Sequence, residues 1–496
     1  MAYDGYMRLH GRRMILTNVE DITRENILKV LADVLPVHQL NREEIKYLWD
    51  YYRGKQPVEN RTKEVRPEIN NRIVVNRAYE IVSFKSGYLM GEPVQYTARG
   101  NDVDAVADQL NVLNDYMFAE EKATRDKELA DWFHICGTSF RMVLPDDADD
   151  EDEAPFEIFT LDPKNTFVVY HNSPGKKPVL GVTYTKDADG VIHYSCYTKD
   201  RFFEVLDAQQ IAEEKVHVLG DVPIVEYPLN GARLGAFELV VPLLDAINTT
   251  ESNRVDGIEQ FVQALMLFHN TDISSDDFQK LREQGALKYK DIDPQMRAEV
   301  SYLISSLDQS QSQTLVDDLY QEVLTICGMP NRNGGSSTSD TGVAVVYRDG
   351  WSAAETRAKD AELMFKMAEK RFLRIVLNIS KVTRGSSLGL RNIEIQFTRR
   401  NYEAINEKAN VLVTLLNQPK VHPKLAFEHS GLFVDPDLAY AISKEYYEEE
   451  MRNGEYNGDQ GSGTGDREDP AEGQSGRGEN RTRQSSRDRD QQEAET

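Results

Sequence analysis

Residues 70–96 read NNRIVVNRAYEIVSFKSGYLMGEPVQY. The stretch predicts a helix that gives way to an extended segment at GEPVQY. Gly87 and Gly91 lie where the chain changes direction and permit close backbone packing or a positive φ angle. Pro93 favours extended backbone at the preceding Glu92. The turn comprises Gly87, Tyr88, Leu89, Gly91, Glu92 and Pro93. These residues are predicted to mark the fold and not to form an active site.

The sequence on both sides of this stretch predicts helices and then a β-rich region. Apolar residues recur at helical spacing within 27–35 and 45–49, and further helices are expected at about Val103 to Asn114 and Ala119 to Ile135. Six later runs are rich in β-branched and aromatic residues, as strands are. The predicted strands are SFRMVL (139–144), FEIFTL (156–161), TFVVY (166–170), VLGVTYT (179–185), VIHYSCYT (191–198) and RFFEVL (201–206). The acidic run DDADDEDE (146–153) is predicted to be a solvated hairpin loop. A metal site is not predicted there, because the run lacks the ligand spacing of Ca²⁺ loops.

Long helices are predicted from residue 240 onward. Between Val240 and Phe268, apolar residues recur at steps of three and four, which gives a helix of ~43 Å at about 1.5 Å per residue. The apolar stripe comprises Val240, Leu244, Ile247, Val255, Ile258, Val262 and Leu265. So long a stripe needs a long partner helix or neighbouring subunits. A second helix is predicted from about Ser310, and its apolar face comprises Leu315, Leu319, Val323 and Ile326.

A polar loop and a third long helix follow. Residues 331–341 read NRNGGSSTSDT and contain no apolar side chain. The loop comprises Asn331, Arg332, Asn333, Gly334, Gly335, Ser336, Ser337, Thr338, Ser339, Asp340 and Thr341. A helix is predicted from about Ser352 to Ser380, then a strand, NIEIQF (392–397), and helices at about Tyr402 to Asn417 and Pro436 to Met451.

Composition and charge constrain the class of protein. The 496 residues carry a net charge of -25, whereas proteins that grip nucleic acid gain affinity from Lys and Arg through counterion release. No apolar run reaches the roughly eighteen residues of a membrane-spanning helix, and no secretion signal is predicted. The cysteines Cys136, Cys196 and Cys327 form no CxxC pair and are predicted to be buried, reduced thiols. Residues 453–496 contain no Ile, Leu, Val, Met, Phe or Trp and are predicted to be disordered.

The sequence lacks the local motifs of common enzymes. It contains no GxxxxGK[ST], HExxH or GxSxG, and no Cys/His cluster with zinc spacing. His134 lies between apolar residues and is predicted to be a core histidine. Asp317, Asp318 and Glu322 are predicted to form a solvated helix face or a contact between subunits, and not a nuclease site. We therefore predict a protein without catalytic residues, metal ligands or a cofactor.

Two N-terminal segments resemble the portal proteins of siphophages that infect Gram-positive bacteria. The first is EEIKYLWDYYRGKQPV (43–58), where that family has a Tyr-Tyr-x-Gly-Lys helix end. The second is 70–96, where it has Asn-Arg-Ile-Val-Val-Asn and then Gly-Tyr-Leu-x-Gly-Glu-Pro. Further along, ELADWFHICGTSFRMV (128–143), PLLDAINTTESN (242–253) and SDTGVAVVYRDGW (339–351) resemble the family's helix-then-strand, stem helix and tunnel loop. The matches run in the family's order from about residue 40 to 380.

The resemblance implies an α+β subunit with the portal fold, which has wing, stem, clip and crown regions, long channel-lining helices and a β-rich wing. Carried onto this chain, the regions are wing 1–235, stem helix 236–269, clip 270–308, second stem helix 309–328, tunnel loop with long helix and return to the wing 329–399, crown helices 400–452 and disordered tail 453–496.

The resemblance also implies a function and partners. Twelve copies would form a ring at one capsid vertex of the virion, assembled in the bacterial cytoplasm, and double-stranded DNA would pass through it during packaging and ejection without sequence specificity. The implied partners are the terminase large subunit, a head-completion or adaptor protein, and the major capsid and scaffolding proteins, with no membrane. The polar tunnel loop, Asn331 to Thr341, suits transient contact with moving DNA.

Two other interpretations stay open from the residues alone. The first is another capsid-vertex or connector ring component that does not translocate DNA, which the absence of an open axial channel would favour. The second is a DNA-processing enzyme, which would need a nucleotide or metal site.

Overall fold

The computed structural model describes residues 11–99, 103–146, 153–262, 265–272, 276, 279, 290–292, 299–303, 309–331, 350–398, 405–433 and 436–458. The chain divides into two compact units, Met1–Asn410 and Val411–Thr496. The described residues combine helices with small sheets, as the sequence predicts. Within these ranges, no helix has both the length and the apolar character that crossing a bilayer requires.

The elements follow one another along the chain with these bounds. The helices are α1 (Ile27–Tyr52), α2 (Arg77–Leu89), α3 (Val103–Ala119), α4 (Lys122–Cys136), α5 (Val241–Val262), α6 (Gln309–Cys327), α7 (Trp351–Arg384), α8 (Ile405–Leu416), α9 (Pro423–Ser430) and α10 (Pro436–Gly458). The strands are β1 (Ile15–Thr17), β2 (Gln95–Ala98), β3 (Thr138–Pro145), β4 (Phe156–Leu161), β5 (Thr166–His171), β6 (Pro178–Lys186), β7 (Ile192–Tyr197), β8 (Arg201–Leu206), β9 (Gln210–Val216), β10 (Ile224–Pro228), β11 (Leu265–His269), β12 (Thr271–Asp272), β13 (Lys290–Asp291), β14 (Glu299–Leu303) and β15 (Ile393–Gln396).

A six-stranded sheet has the order β1-β5-β6-β7-β8-β9. Strand β1 runs parallel to β5, and the other neighbours are antiparallel. A second sheet has the order β10-β3-β4, and β2 pairs with β15. The six strands predicted between residues 139 and 206 are confirmed within two residues at each end. Strand β9 was not predicted, because its sequence QIAEEKV is largely polar.

Helix α1 joins two hydrophobic cores. Its first half buries Ile27 and Leu31 against the six-stranded sheet. Its second half buries Leu48 and Tyr51 in a core that also contains α2, α5 and α6. The two stretches of helical periodicity, 27–35 and 45–49, belong to one helix of 26 residues, which continues through Pro36. The helix thereby connects the sheet to the long helices.

The third core surrounds α7 and contains a buried cluster of four charges. Glu369 Oε1 lies 2.9 Å from Lys122 Nζ, and Glu369 Oε2 lies 3.3 Å from Arg141 Nη1. Asp126 pairs with both cations. Tyr227 donates a hydrogen bond to Glu369 at 2.6 Å. Burial alone raises the pKa of Glu369, but Lys122 and Arg141 outweigh it and hold the pKa below its usual range. The cluster is neutral overall and ties α7 to α4 and β3.

Three predictions about the long elements are wrong in part. Helix α5 ends at Val262, and Leu265 begins strand β11, because LMLFH pairs antiparallel with EVSYL of β14 from Leu265↔Leu303 to His269↔Glu299. The buried apolar residues of α6 are Val316, Val323, Leu324 and Cys327, whereas the predicted face members Leu315 and Ile326 are exposed. Helix α10 continues to Gly458, into the segment predicted to be disordered, and residues 459–496 lie outside the described ranges.

Candidate functional site

Helices α5 and α6 pack against each other and form the candidate site, which we call the helix pair. A short 3-10 turn, Glu238–Val240, leads into α5. Pro242 lies in the first turn of α5, where backbone N–H groups have no acceptor within the helix, so the N–H that proline lacks costs no hydrogen bond. The core of the pair comprises Val240, Leu244, Ile247, Val316, Val323, Leu324 and Cys327. Apolar burial therefore fixes the end of the pair that adjoins α1 and α2.

The start of α5 is anchored by a buried carboxylate. Glu238 Oε1 accepts hydrogen bonds from Gly11 N at 3.0 Å and from Arg12 Nη2 at 2.6 Å, and Oε2 accepts one from Gly235 N at 2.8 Å. Arg12 also pairs with Glu44 of α1 at 3.2 Å. The side chains of all three charged residues are at most 4% exposed. This network joins the N-terminal strand region, α1 and the helix pair.

A ladder of three polar side chains runs along the next two turns of α5. Val75 N donates to Asn248 Oδ1 at 2.8 Å and Ile73 N donates to Ser252 Oγ at 2.9 Å. Asn71 N donates to Asp256 Oδ1 at 2.7 Å. Four residues of helix rise about 6 Å and two residues of extended chain rise about 6.6 Å, so the two periods match over this length. The NNRIVVN segment is therefore fastened to the helix through alternate backbone N–H groups.

Asp256 is the charged end of the ladder. Besides Asn71, it pairs with Arg61 Nη1 at 3.1 Å and with Lys63 Nζ at 2.9 Å. Burial alone raises the pKa of Asp256, but the hydrogen bonds from Asn71 and Lys63 outweigh it and hold the pKa below its usual range. Lys63 also donates to Ile69 O at 2.9 Å, which holds the loop before the ladder.

Amide side chains join the ladder to the end of α1. Gln56 Oε1 accepts from Asn248 Nδ2 at 2.5 Å, and Gln56 Nε2 donates to Tyr51 O at 3.1 Å. Asn76 caps α2 by accepting from Tyr79 N and donates to Tyr52 O at 2.8 Å. These contacts give a structural reason for the segment YYRGKQPV, whose Gly54 adopts φ 94°.

The predicted apolar stripe of α5 is buried only in its first half. Leu244 and Ile247 lie in the core, Val255 is half-buried and Ile258 is 52% exposed. Val262 ends the helix and Leu265 belongs to β11, and the side chains of both lie outside the described set. On α6, Asp317, Asp318 and Glu322 are exposed, as predicted for a solvated face.

Only the first residue of the polar loop is described. Asn331 Nδ2 donates to Gln321 Oε1 of α6 at 2.9 Å. Residues 332–341, which are Arg332, Asn333, Gly334, Gly335, Ser336, Ser337, Thr338, Ser339, Asp340 and Thr341, lie outside the described ranges. Most of the segment 270–308 and the acidic run from 147 to 152 lie outside them as well.

The turn at residues 87–93 connects α2 to β2. Tyr88 donates a hydrogen bond to Glu355 Oε2 of α7 at 2.8 Å, and Leu89, the last residue of α2, is buried. A Cβ atom on Gly91 would lie 2.6 Å from Gly87 O, so the close approach requires glycine at residue 91. Neither glycine has a positive φ angle. Glu92 and Pro93 then lead into the extended β2.

Titratable groups that enzymes often use are buried here. Burial lowers the pKa of His134 to about 3, and its Nδ1 lies 3.1 Å from Ser86 Oγ. The three cysteines are buried and free, and burial raises the pKa of Cys136 to about 12 and that of Cys327 to about 11. Across the described ranges, no group of three or more His, Cys, Asp or Glu side chains could hold a metal ion.

Sequence reasoning missed the ladder and the charge clusters. Asn248, Ser252 and Asp256 occupy one face of α5 at four-residue spacing, but they interrupt the apolar pattern and look solvated in the sequence. Their buried positions are explained by the backbone N–H groups of 71–75, which need acceptors once the segment packs on the helix. The backbone N–H groups of NNRIVVN and the polar side chains of DAINTTESNRVD are thus partners.

Comparison with known proteins identifies a family and solved structures to which this chain is similar. The family model described as phage portal protein, SPP1 Gp6-like, matches residues 31–454. This range includes the helix pair, the ladder and the turn at residues 87–93. A structure described as the neck of an empty GTA particle, computed with C6 symmetry, is similar with a TM-score of 0.41 and 10% identity, covering 72% of this chain and 90% of that chain. Curated proteins give no match.

Proposed function

Because the chain belongs to the family of SPP1 Gp6-like phage portal proteins, we propose that it forms a closed ring at one vertex of a tailed-phage capsid and that DNA passes through the ring. The family match over residues 31–454 is the observation that carries this proposal. The ring has twelve copies, and it serves both packaging and ejection of the genome. The helix pair is its stem, and the loop 331–341 is its tunnel loop.

The charge distribution supports passage of DNA without tight binding. The chain carries a net charge of -25, and α6 presents Asp317, Asp318 and Glu322 to solvent. Because phosphate contacts from Lys and Arg dominate affinity for DNA, an acidic helix in the stem would let the duplex move. The loop residues Asn333 and Ser337 offer only polar, uncharged groups, which contact phosphates weakly.

The partners follow from the position of each region in such a ring. The segment 270–308 is the clip, which contacts the terminase large subunit during packaging and a head-completion or adaptor protein afterwards. The region 1–235, which begins with helices and continues into the β-rich part, is the wing, and it contacts the major capsid and scaffolding proteins. The helices within 400–452 form the crown. The protein acts as a passive conduit and does not itself hydrolyse ATP.

The first experiment tests ring formation. Purified full-length protein is imaged by negative-stain electron microscopy and weighed by mass photometry. We expect rings of twelve subunits with a central hole. If the protein stays monomeric at high concentration while its far-UV circular dichroism spectrum shows that it is folded, the proposal is contradicted. Closed assemblies without an axial channel would favour a connector component that does not translocate DNA.

The second experiment tests the tunnel-loop assignment. Ser337→Lys places one extra positive charge per subunit on the loop, and Ser337→Thr is the matched neutral control. Each new phosphate contact adds affinity that falls steeply with salt, so DNA uptake by rings with Ser337→Lys should slow and become salt-sensitive. Equal uptake by both variants at every salt concentration would refute the assignment.

A further inference from the structure

Helix α7 presents an exposed face that combines cations with large apolar side chains. Leu363 is 67% exposed and Met367 is 55% exposed. Lys370, Arg374 and Lys381 follow on the same side of the helix and are also exposed. Among the described residues, Lys370 and Lys381 have no ion-pair partner, and Arg374 only approaches Asp221 at 3.7 Å. In a chain of net charge -25, this face is unusually basic.

Helix α3 presents an exposed face with the opposite charge. Asp108 and Asp115 are exposed and have no ion-pair partner in the described part of the chain. Val112 lies between them, and Phe118 at the end of the helix is 87% exposed. Aromatic side chains, Phe included, are enriched at the cores of protein interfaces relative to the rest of the surface.

We propose that these two faces bind each other between adjacent subunits, so that α3 of one copy packs against α7 of the next. The inference rests on the proposed ring. A closed ring of more than two subunits needs two different, complementary patches on each subunit, because its interfaces are heterologous. The acidic patch is the α3 face (Asp108, Val112, Asp115 and Phe118), and the basic patch is the α7 face (Leu363, Met367, Lys370, Arg374 and Lys381).

The spacing of the charges supports an antiparallel arrangement. Asp108 and Asp115 are seven residues apart, as are Arg374 and Lys381. Pairing Asp108 with Lys381 and Asp115 with Arg374 places Phe118 opposite residue 371, about one helical turn from Met367. A parallel arrangement matches the same charges but places Phe118 opposite Arg384, the last residue of α7, far from Met367. Antiparallel packing thus pairs the charges and also brings Phe118 within about one helical turn of Met367.

Charge reversal with rescue tests the proposal. The pair Asp108→Lys with Asp115→Lys places like charges at the interface, as does the pair Arg374→Glu with Lys381→Glu. Each pair should raise the concentration needed for half-assembly by about tenfold or more in mass photometry, because juxtaposed like charges disfavour association. The fourfold variant, which swaps both faces, should assemble nearly as the wild type does. Lys186→Glu with Asp189→Lys, on the exposed β6–β7 turn, is the control and should leave assembly unchanged.

Cysteine crosslinking provides a test that does not weaken the interface. Asp115→Cys with Arg374→Cys should give a ladder of disulfide-linked subunits on a non-reducing gel, whereas either single variant should give none. The native cysteines are buried and do not interfere. Suppose that wild-type rings form. If the fourfold variant then assembles no better than either pair, or the double-cysteine protein gives no intersubunit ladder, this inference is wrong and the proposed function still stands. If the wild type forms no rings, the proposed function fails.

Discussion

Removing the carboxylate of Asp256 should release the extended segment from the helix pair. In Asp256→Ala, Asn71 N loses its acceptor and the ion pairs with Arg61 and Lys63 disappear. A hydrogen bond to a charged group contributes about 1.5–3 kcal/mol and a neutral one about 1 kcal/mol. The side chains of Arg61 and Lys63 are 15% and 20% exposed, so water partly replaces their lost contacts. We expect the free energy needed to open the segment to fall by about 3 kcal/mol.

Amide hydrogen exchange measured by mass spectrometry reports this opening directly. About 3 kcal/mol corresponds to roughly 100-fold faster exchange at Asn71 and Ile73. Asp256→Asn keeps an acceptor for Asn71 N but removes the charge, so its exchange should accelerate by only about tenfold. Asp318→Ala, on the exposed face of α6, is the control and should change stability by less than about 0.5 kcal/mol.

The same variants give a pH dependence with a defined sign. The hydrogen bonds from Asn71 and Lys63 hold the pKa of Asp256 below its usual range despite burial. Its stabilisation is therefore fully present above the unfolded-state pKa of about 3.9 and is lost as the pH falls through the lower folded-state pKa. Protection at Asn71, corrected for the intrinsic exchange rate, should fall below about pH 4 in the wild type but not in Asp256→Asn. Equal exchange in Asp256→Ala and Asp318→Ala would refute the ladder as the fastening of this segment.

Three further predictions concern other parts of the chain. Glu369→Gln leaves Lys122 and Arg141 with only Asp126, so the free energy of unfolding measured by urea titration should fall by about 3–5 kcal/mol. Glu394→Gln removes a surface ion pair with Arg99 from a side chain that is 44% exposed and should change stability by less than about 1 kcal/mol. In the native protein at pH 8, a thiol reagent should label the three buried cysteines far more slowly than in urea, because burial raises their pKa values, and fast labelling of Cys136 in the folded state would contradict its burial. Removing residues 459–496 should leave assembly unchanged, because this polar segment has little apolar surface to bury, and loss of rings would show that it contributes to them.

Local pattern was sufficient to predict most of the secondary structure but not the contacts between distant segments. The run LMLFH at 265–269 fits either the end of a helix or a short strand, and its partner EVSYL, some thirty residues later, decides in favour of the strand. On α6, Leu315 and Ile326 suggested a buried face, but the side that packs on α5 includes Cys327 and Leu324. Each error came from judging one helix without its neighbour.

The portal family was recognised from sequence through ordered motifs, and the structure gives a physical basis for two of them. The segment NNRIVVN supplies alternate N–H groups to α5, and Gly91 packs against Gly87 O. The role of Asp256 could not be read from periodicity, because a buried carboxylate on an amphipathic helix looks like a solvated one until its partners are known. The same is true of Glu369, whose partners come from α4 and β3.

The ladder along α5 makes this part of the chain sensitive to length as well as to composition. One residue inserted between Asn248 and Asp256 would rotate the later rung by about 100° around the helix and aim it away from residue 71. One residue inserted between 71 and 75 would turn the following N–H groups to the opposite side of the extended chain. Related sequences should therefore exchange Asn, Ser, Thr and Asp at the three rungs, while insertions and deletions accumulate outside 71–75 and 248–256.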